Sequence, residues 1–104
     1  MINLISIESV VALGAIQKTL RKHESKAPNQ RHLAVLTASI IVIDQAQSVP
    51  ASQAVKTLDL AESYLGEIDQ NGEYAKIRLD LILIARAERD ALDKSRIETF
   101  RMAA

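Results

Sequence analysis

The chain of 104 residues has the length of one domain, and its 13 basic and 13 acidic side chains give a net charge of zero. Nucleic-acid-binding proteins usually carry a basic excess, so we do not expect nucleic acid as the main partner. The absence of cysteine excludes disulfides, thiol catalysis and cysteine-based metal sites. The longest apolar stretch, residues 33–43, is shorter than the roughly 20 residues of a membrane span. We therefore expect a single cytoplasmic domain over residues 1–104.

Pro28, Pro50 and Gly72 divide the chain into four segments. Proline disrupts a helix interior and disfavours helical geometry in the residue before it, while glycine commonly follows a helix end. Within each segment, apolar residues recur every three or four positions, which is the period of one helix face. The pattern predicts an all-α, antiparallel bundle of about four helices. Their expected bounds are residues 2–24, 29–48, 51–70 and 73–101.

The first segment is expected to place one apolar face on the core. That face consists of Ile2, Ile5, Ala12, Leu13, Ile16 and Leu20. Gly14 lies in mid-helix, where glycine costs about 1 kcal/mol relative to alanine unless close approach of another helix compensates. The second segment is apolar on most sides, which predicts a central helix. Residues 40–43 could alternatively form a strand, but no second strand signal exists to pair with them.

The third segment has a heptad-like seam of Ala54, Leu58, Ala61, Leu65 and Ile68. Asn71 and Gly72 then predict a turn, because glycine adopts a positive φ without strain. The fourth segment begins apolar and ends charged. It is the longest of the four, so its end is expected to project beyond the bundle.

The projecting end of the fourth segment is the first candidate partner-binding surface. Leu92, Ile97 and Phe100 are apolar, and they would lack cover if the four-helix core ends near Leu92. These side chains would fold back, dock on a second copy of the chain, or dock on a partner protein.

Asp44 and Asp80 are candidates for buried carboxylates, because each lies within or beside an apolar run. A buried carboxylate must be paired or neutral, and Arg78 and Arg86 are candidate partners. Two converging carboxylates could carry acid–base chemistry or anchor a small molecule between helices. Alternatively, each aspartate points to the polar edge of its helix.

The basic stretch of residues 18–31 is a candidate phosphate contact through Lys18, Arg21, Lys22 and Arg31. It lacks interleaved aromatic residues and is interrupted by Glu24, so a solvated helix end is the alternative. Regulation through nucleic-acid contact therefore stays a secondary hypothesis.

No motif indicates catalysis, a cofactor or a metal. His23 and His32 match no metal-ligand spacing, and we expect them to be solvated loop residues. The chain has no glycine-rich phosphate loop and no nucleophile motif. The sequence thus predicts a non-enzymatic helical protein-interaction module, such as an adaptor, inhibitor or assembly factor, with homodimer formation as one option.

Overall fold

The computed structural model describes residues 3–103, and side chains over residues 3–97. It contains the four helices α1 (Ile7–Glu24), α2 (Gln30–Ala46), α3 (Ala51–Ile68) and α4 (Ala75–Ala103). The predicted all-α bundle is confirmed, because these helices pack around one cluster of buried apolar residues. No strand occurs among the described residues, so residues 40–43 are helical.

The start of α1 differs from the prediction, which placed it near Ile2, outside the described residues. The helix begins at Ile7, because the Ser6 side chain accepts a hydrogen bond from the backbone N–H of Ser9 and caps the first turn. Residues 3–6 form a non-helical arm in which Ile5 is buried. The backbone carbonyl of Asn3 accepts a 2.7 Å hydrogen bond from the N–H of Ala51, which ties this arm to the start of α3.

The other helix ends follow the expected signals within a few residues. Asn29 caps α2 by accepting a 2.8 Å hydrogen bond from the N–H of His32. Pro50 immediately precedes α3, where its fixed φ suits a helix start. The turn between α3 and α4 contains Gly72 at φ 74°, a conformation that favours glycine.

The inner positions of the bundle belong to α2 and α3 together. The predicted seam of α3 is confirmed, since its members are all buried, whereas Ile41 on α2 is 52% exposed. The prediction that α2 is the single central helix is therefore wrong, because part of its apolar surface is exposed. α3 packs against α2 and α4, while α1 packs mainly on α2 and meets α4 at few positions. The bundle is consequently open between α1 and α4.

A buried polar contact holds α1 to α2 on the closed side of the bundle. The Gln17 amide nitrogen donates a 3.1 Å hydrogen bond to the backbone carbonyl of Ile40. The Gln47 amide nitrogen donates to the Gln17 amide oxygen over 3.2 Å. Because these bonds satisfy polar groups inside the bundle, they fix the orientation of α1 relative to α2.

The last helix projects beyond its neighbours, as predicted. The 29 residues of α4 span about 43 Å, against about 27 Å for the 18 residues of α3. Among the described side chains of α4, Leu92 is the last that packs against the core, and residues 93–97 are exposed.

Candidate functional site

The gap between α1 and α4 forms a groove with a volume of about 480 Å³. Its walls are single faces of the two helices, whose residues recur every three or four positions. The lining residues are Ala12, Ala15, Ile16 and Thr19 from α1, and Lys76, Ile77, Asp80, Leu83 and Ile84 from α4.

The two walls of the groove differ in side-chain size. α1 contributes mostly small residues, such as Ala12 and Ala15, whereas α4 contributes the larger Leu83 and Ile84. Lys76 and Asp80 are the charged lining residues, and they lie one helical turn apart. The groove can therefore accept a mainly apolar ligand or side-chain surface that also carries a charged group near Lys76 or Asp80.

The apolar surface continues out of the groove onto the exposed sides of both helices. Val11 on α1 and Leu79 on α4 lie outside the groove and are 67% and 53% exposed, and Leu83, which lines the groove, is itself 47% exposed. Contiguous apolar patches rimmed by polar residues are typical of interaction sites. The fourth segment was expected to begin apolar, but this exposed apolar surface on α1 and α4 was not predicted. Its signal was present, because residues 77–85 are apolar on nearly every side of the helix.

The two aspartates that were candidates for buried carboxylates differ in burial. Asp44 is exposed, so its proposed burial is wrong. Asp44 directly follows the buried Ile43. Successive side chains of an α-helix point about 100° apart, so Asp44 points away from the core. Asp80 is half-buried and lines the groove, so it remains available as a polar anchor there. Neither aspartate forms an ion pair with Arg78 or Arg86 among the described residues.

The three apolar residues predicted to bind a partner have different environments. Leu92 is half-buried against the core and lines a small crevice with Leu4 and Ala91. Its own chain therefore covers part of this side chain. Ile97 is 56% exposed on the projecting end of α4. The side chain of Phe100 lies outside the described residues.

The four candidate phosphate contacts are exposed but do not line one cleft. Lys22 lines a shallow cleft on α1. Arg31 lines a different cleft, where Glu67 and Glu73 are also found. Lys18 and Arg21 line neither cleft, although both are exposed. An anion near Arg31 would thus meet two carboxylates.

His23 and His32 are not solvated loop residues, because both are half-buried beside Tyr74. A 2.7 Å hydrogen bond joins the His32 Nε2 to the Tyr74 hydroxyl, and the His23 ring centroid lies 5.0 Å from that of Tyr74. Burial raises the pKa of the Tyr74 hydroxyl, and the negative charges of Glu73 and Asp69 add to this effect. The three rings form a structural cluster that joins the start of α4 to α1 and α2.

An ion-pair cluster fixes the orientation of α4 against α3. Arg78 donates to Glu62 over 2.9 Å and to Asp69 over 3.2 Å. Gly66 makes room for it, because a Cβ at this position would lie 3.0 Å from an Arg78 guanidinium nitrogen. The backbone N–H of Tyr74 and the Arg78 guanidinium hold the pKa of Asp69 below its ordinary value of 3.8.

No protein-family model, curated protein or solved structure matches this chain. Among the described residues, no helix is long and apolar enough to cross a membrane. The described residues also contain no group of three or more His, Asp or Glu side chains that could hold a metal ion.

Proposed function

We propose that this chain is a protein-interaction module that docks an amphipathic helix in the groove between α1 and α4. The observation that carries the proposal is the exposed apolar surface of Val11 on α1 and Leu79 on α4, outside the groove, together with the half-exposed Leu83 that lines it. A helix laid in such a groove would contribute an apolar face, a common mode of peptide recognition.

A small molecule bound between the helices is the competing hypothesis, with Asp80 as its polar anchor. The groove volume lies within the range of about 300–1,000 Å³ of small-molecule sites. However, a small molecule would leave the apolar side chains outside the groove uncovered. The extent of the apolar surface therefore favours a helix as the occupant.

Photo-crosslinking in cells tests the docking function. A benzophenone amino acid is placed at Ala15 inside the groove, or at Ser63 on the exposed side of α3 as the matched control. We expect a discrete protein adduct from Ala15 and none from Ser63. We also expect Leu83→Asp to remove that adduct. Absence of an adduct from Ala15, or the same adduct from Ser63, would contradict the docking function.

Contact with nucleic acid through Lys18, Arg21, Lys22 and Arg31 stays a prediction that no geometric observation favours. Phosphate contacts lose affinity steeply with salt. Measuring binding of a short duplex at low and high salt tests it, and absence of binding at low salt would end it.

A further inference from the structure

One exposed face of α4 combines apolar and charged residues in a regular order. Lys76, Leu83 and Asp90 recur every seven residues, which keeps them close to one line along the helix. The positions between them on the same face are Leu79, Asp80, Arg86 and Ala87. All are exposed except the half-buried Asp80. We call these residues the α4 face.

The charges of the α4 face are antisymmetric about Leu83. Asp80 precedes Leu83 by three positions and Arg86 follows it by three. Lys76 precedes it by seven positions and Asp90 follows it by seven. Each charge therefore has its opposite at the same distance on the other side of Leu83.

We infer that the occupant of the α4 face is a second copy of this chain, with the two α4 helices antiparallel and Leu83 on the two-fold axis. This inference rests on the proposed docking function and names the partner. A two-fold interface brings the same patch of both copies together, so each residue meets the residue equally far beyond the axis. Asp80 then lies level with the Arg86 of the second copy, and Lys76 with its Asp90. A parallel pairing would instead bring like charges together.

The ion pairs that α4 makes within the described part of the chain do not use the charges of the α4 face. Among the described residues, the ion pairs of α4 use Arg78 and Arg89, on other sides of the helix. Lys76, Asp80, Arg86 and Asp90 form none of them. Zero net charge also means that two copies do not repel each other over long range. Beside the α4 face, the small residues Ala12 and Ala15 of α1 leave room for the incoming helix.

The chain also exposes more surface than its mass requires. Its accessible surface is 6983 Å², whereas a compact chain of 11.4 kDa exposes about 5,800 Å². The surplus of about 1,200 Å² exceeds the roughly 800 Å² that each partner buries in a standard interface. The projecting end of α4, where residues 93–97 are exposed, supplies part of this surplus, and the exposed Leu79 and Leu83 of the α4 face supply another part.

Single cysteines test the geometry, because the chain has no cysteine of its own. Leu83→Cys places two thiols on the two-fold axis, and we expect it to form a disulfide-linked dimer under mild oxidation. Ala87→Cys, one turn further on the same face, is the matched control and is expected to remain unlinked. Lys76→Cys alone is also expected to remain unlinked. A mixture of Lys76→Cys and Asp90→Cys chains is expected to form a mixed disulfide.

Two results would overturn the inference. One is equal linking of Ala87→Cys and Leu83→Cys, which would place the axis elsewhere. The other is sedimentation of the wild-type chain as a monomer at every concentration. If the Ala15 crosslinker nevertheless labels a different protein, the docking function stands and only self-association is wrong. If that crosslinker labels nothing, the docking function fails as well.

Discussion

The buried carboxylate of Glu88 accepts a 2.7 Å hydrogen bond from the backbone N–H of Ser6. Ser6 is the residue that caps α1, so α4 supplies the acceptor for the N–H of the cap itself. In a capping box, a side chain within the same helix makes this bond. Here a residue 82 positions away makes it, and its negative charge lies at the positive end of the α1 dipole.

Removing this acceptor is expected to destabilise the chain and to free its N-terminal arm. Glu88→Ala should lower the free energy of unfolding by about 1.5–3 kcal/mol, the usual value for a hydrogen bond to a charged group. Glu88→Gln should cost less, because its amide oxygen can still accept the bond. Urea unfolding measures both, with Asp93→Ala on the exposed side of α4 as the control. Equal stability of Glu88→Ala and the wild type would show that the contact does not stabilise the fold.

The depressed pKa of Asp69 predicts a pH dependence of stability. Because its folded pKa lies below the ordinary 3.8, ionised Asp69 stabilises the fold above that pH, and this contribution is lost as the pH falls through the folded pKa. The wild type should therefore be more stable than Asp69→Asn above this pH range, and the difference in stability should shrink as the pH falls. Thermal unfolding across this acidic range measures the difference. Asp44→Asn is the control, since Asp44 is exposed and forms no ion pair among the described residues. A constant difference between wild type and Asp69→Asn would contradict the assignment.

Two helical glycines offer a matched comparison. A Cβ at Gly14 would meet nothing within 4 Å, so Gly14→Ala should stabilise the isolated chain by about 1 kcal/mol through helix propensity. A Cβ at Gly66 would press on Arg78, whose guanidinium is held by two carboxylates. Gly66→Ala should therefore gain less stability, or lose some. Chemical unfolding compares the two variants, and a larger gain at Gly66 would mean that Arg78 moves freely.

The four helices could be predicted because their signals are local. Pro28, Pro50 and Gly72 mark the breaks, and the spacing of apolar residues in α3 identifies its buried seam. The start of α1 was misjudged because Ile5 continues the apolar helical period while lying in a non-helical arm. Only contacts distant in sequence, to Ala51 and Glu88, fix that arm.

The groove could not be predicted from helix periodicity alone. Every segment was expected to turn an apolar face to one core, whereas α1 packs on α2 and meets α4 at few positions, which leaves one side of α4 uncovered. That choice depends on specific contacts such as the Gln17 hydrogen bond to Ile40, which no local pattern reveals. The charge antisymmetry about Leu83, in contrast, is readable from the sequence once the exposed face of α4 is known.

The projecting end of α4 should contribute less to association than its middle. Ile97 is exposed but lies seven residues beyond Asp90, outside the span that pairs about Leu83. Ile97→Asp is expected to weaken the dimer only a few-fold, because this side chain lies outside the paired span. Leu83→Asp should weaken it at least about tenfold. Sedimentation of both variants at several concentrations provides the comparison, and the reverse order would place the docking surface at the projecting end.

Charge exchange at position 83 tests the two-fold axis most directly. Leu83→Asp and Leu83→Lys each place two like charges on the axis, so each variant alone is expected to sediment as a monomer. An equal mixture places Asp opposite Lys and is expected to sediment as a dimer. Leu60→Asp, an exposed position on α3, is the control and should leave the wild-type dimer intact. A mixture that stays monomeric while the wild type dimerises would show that Leu83 does not face its counterpart, and would contradict the account.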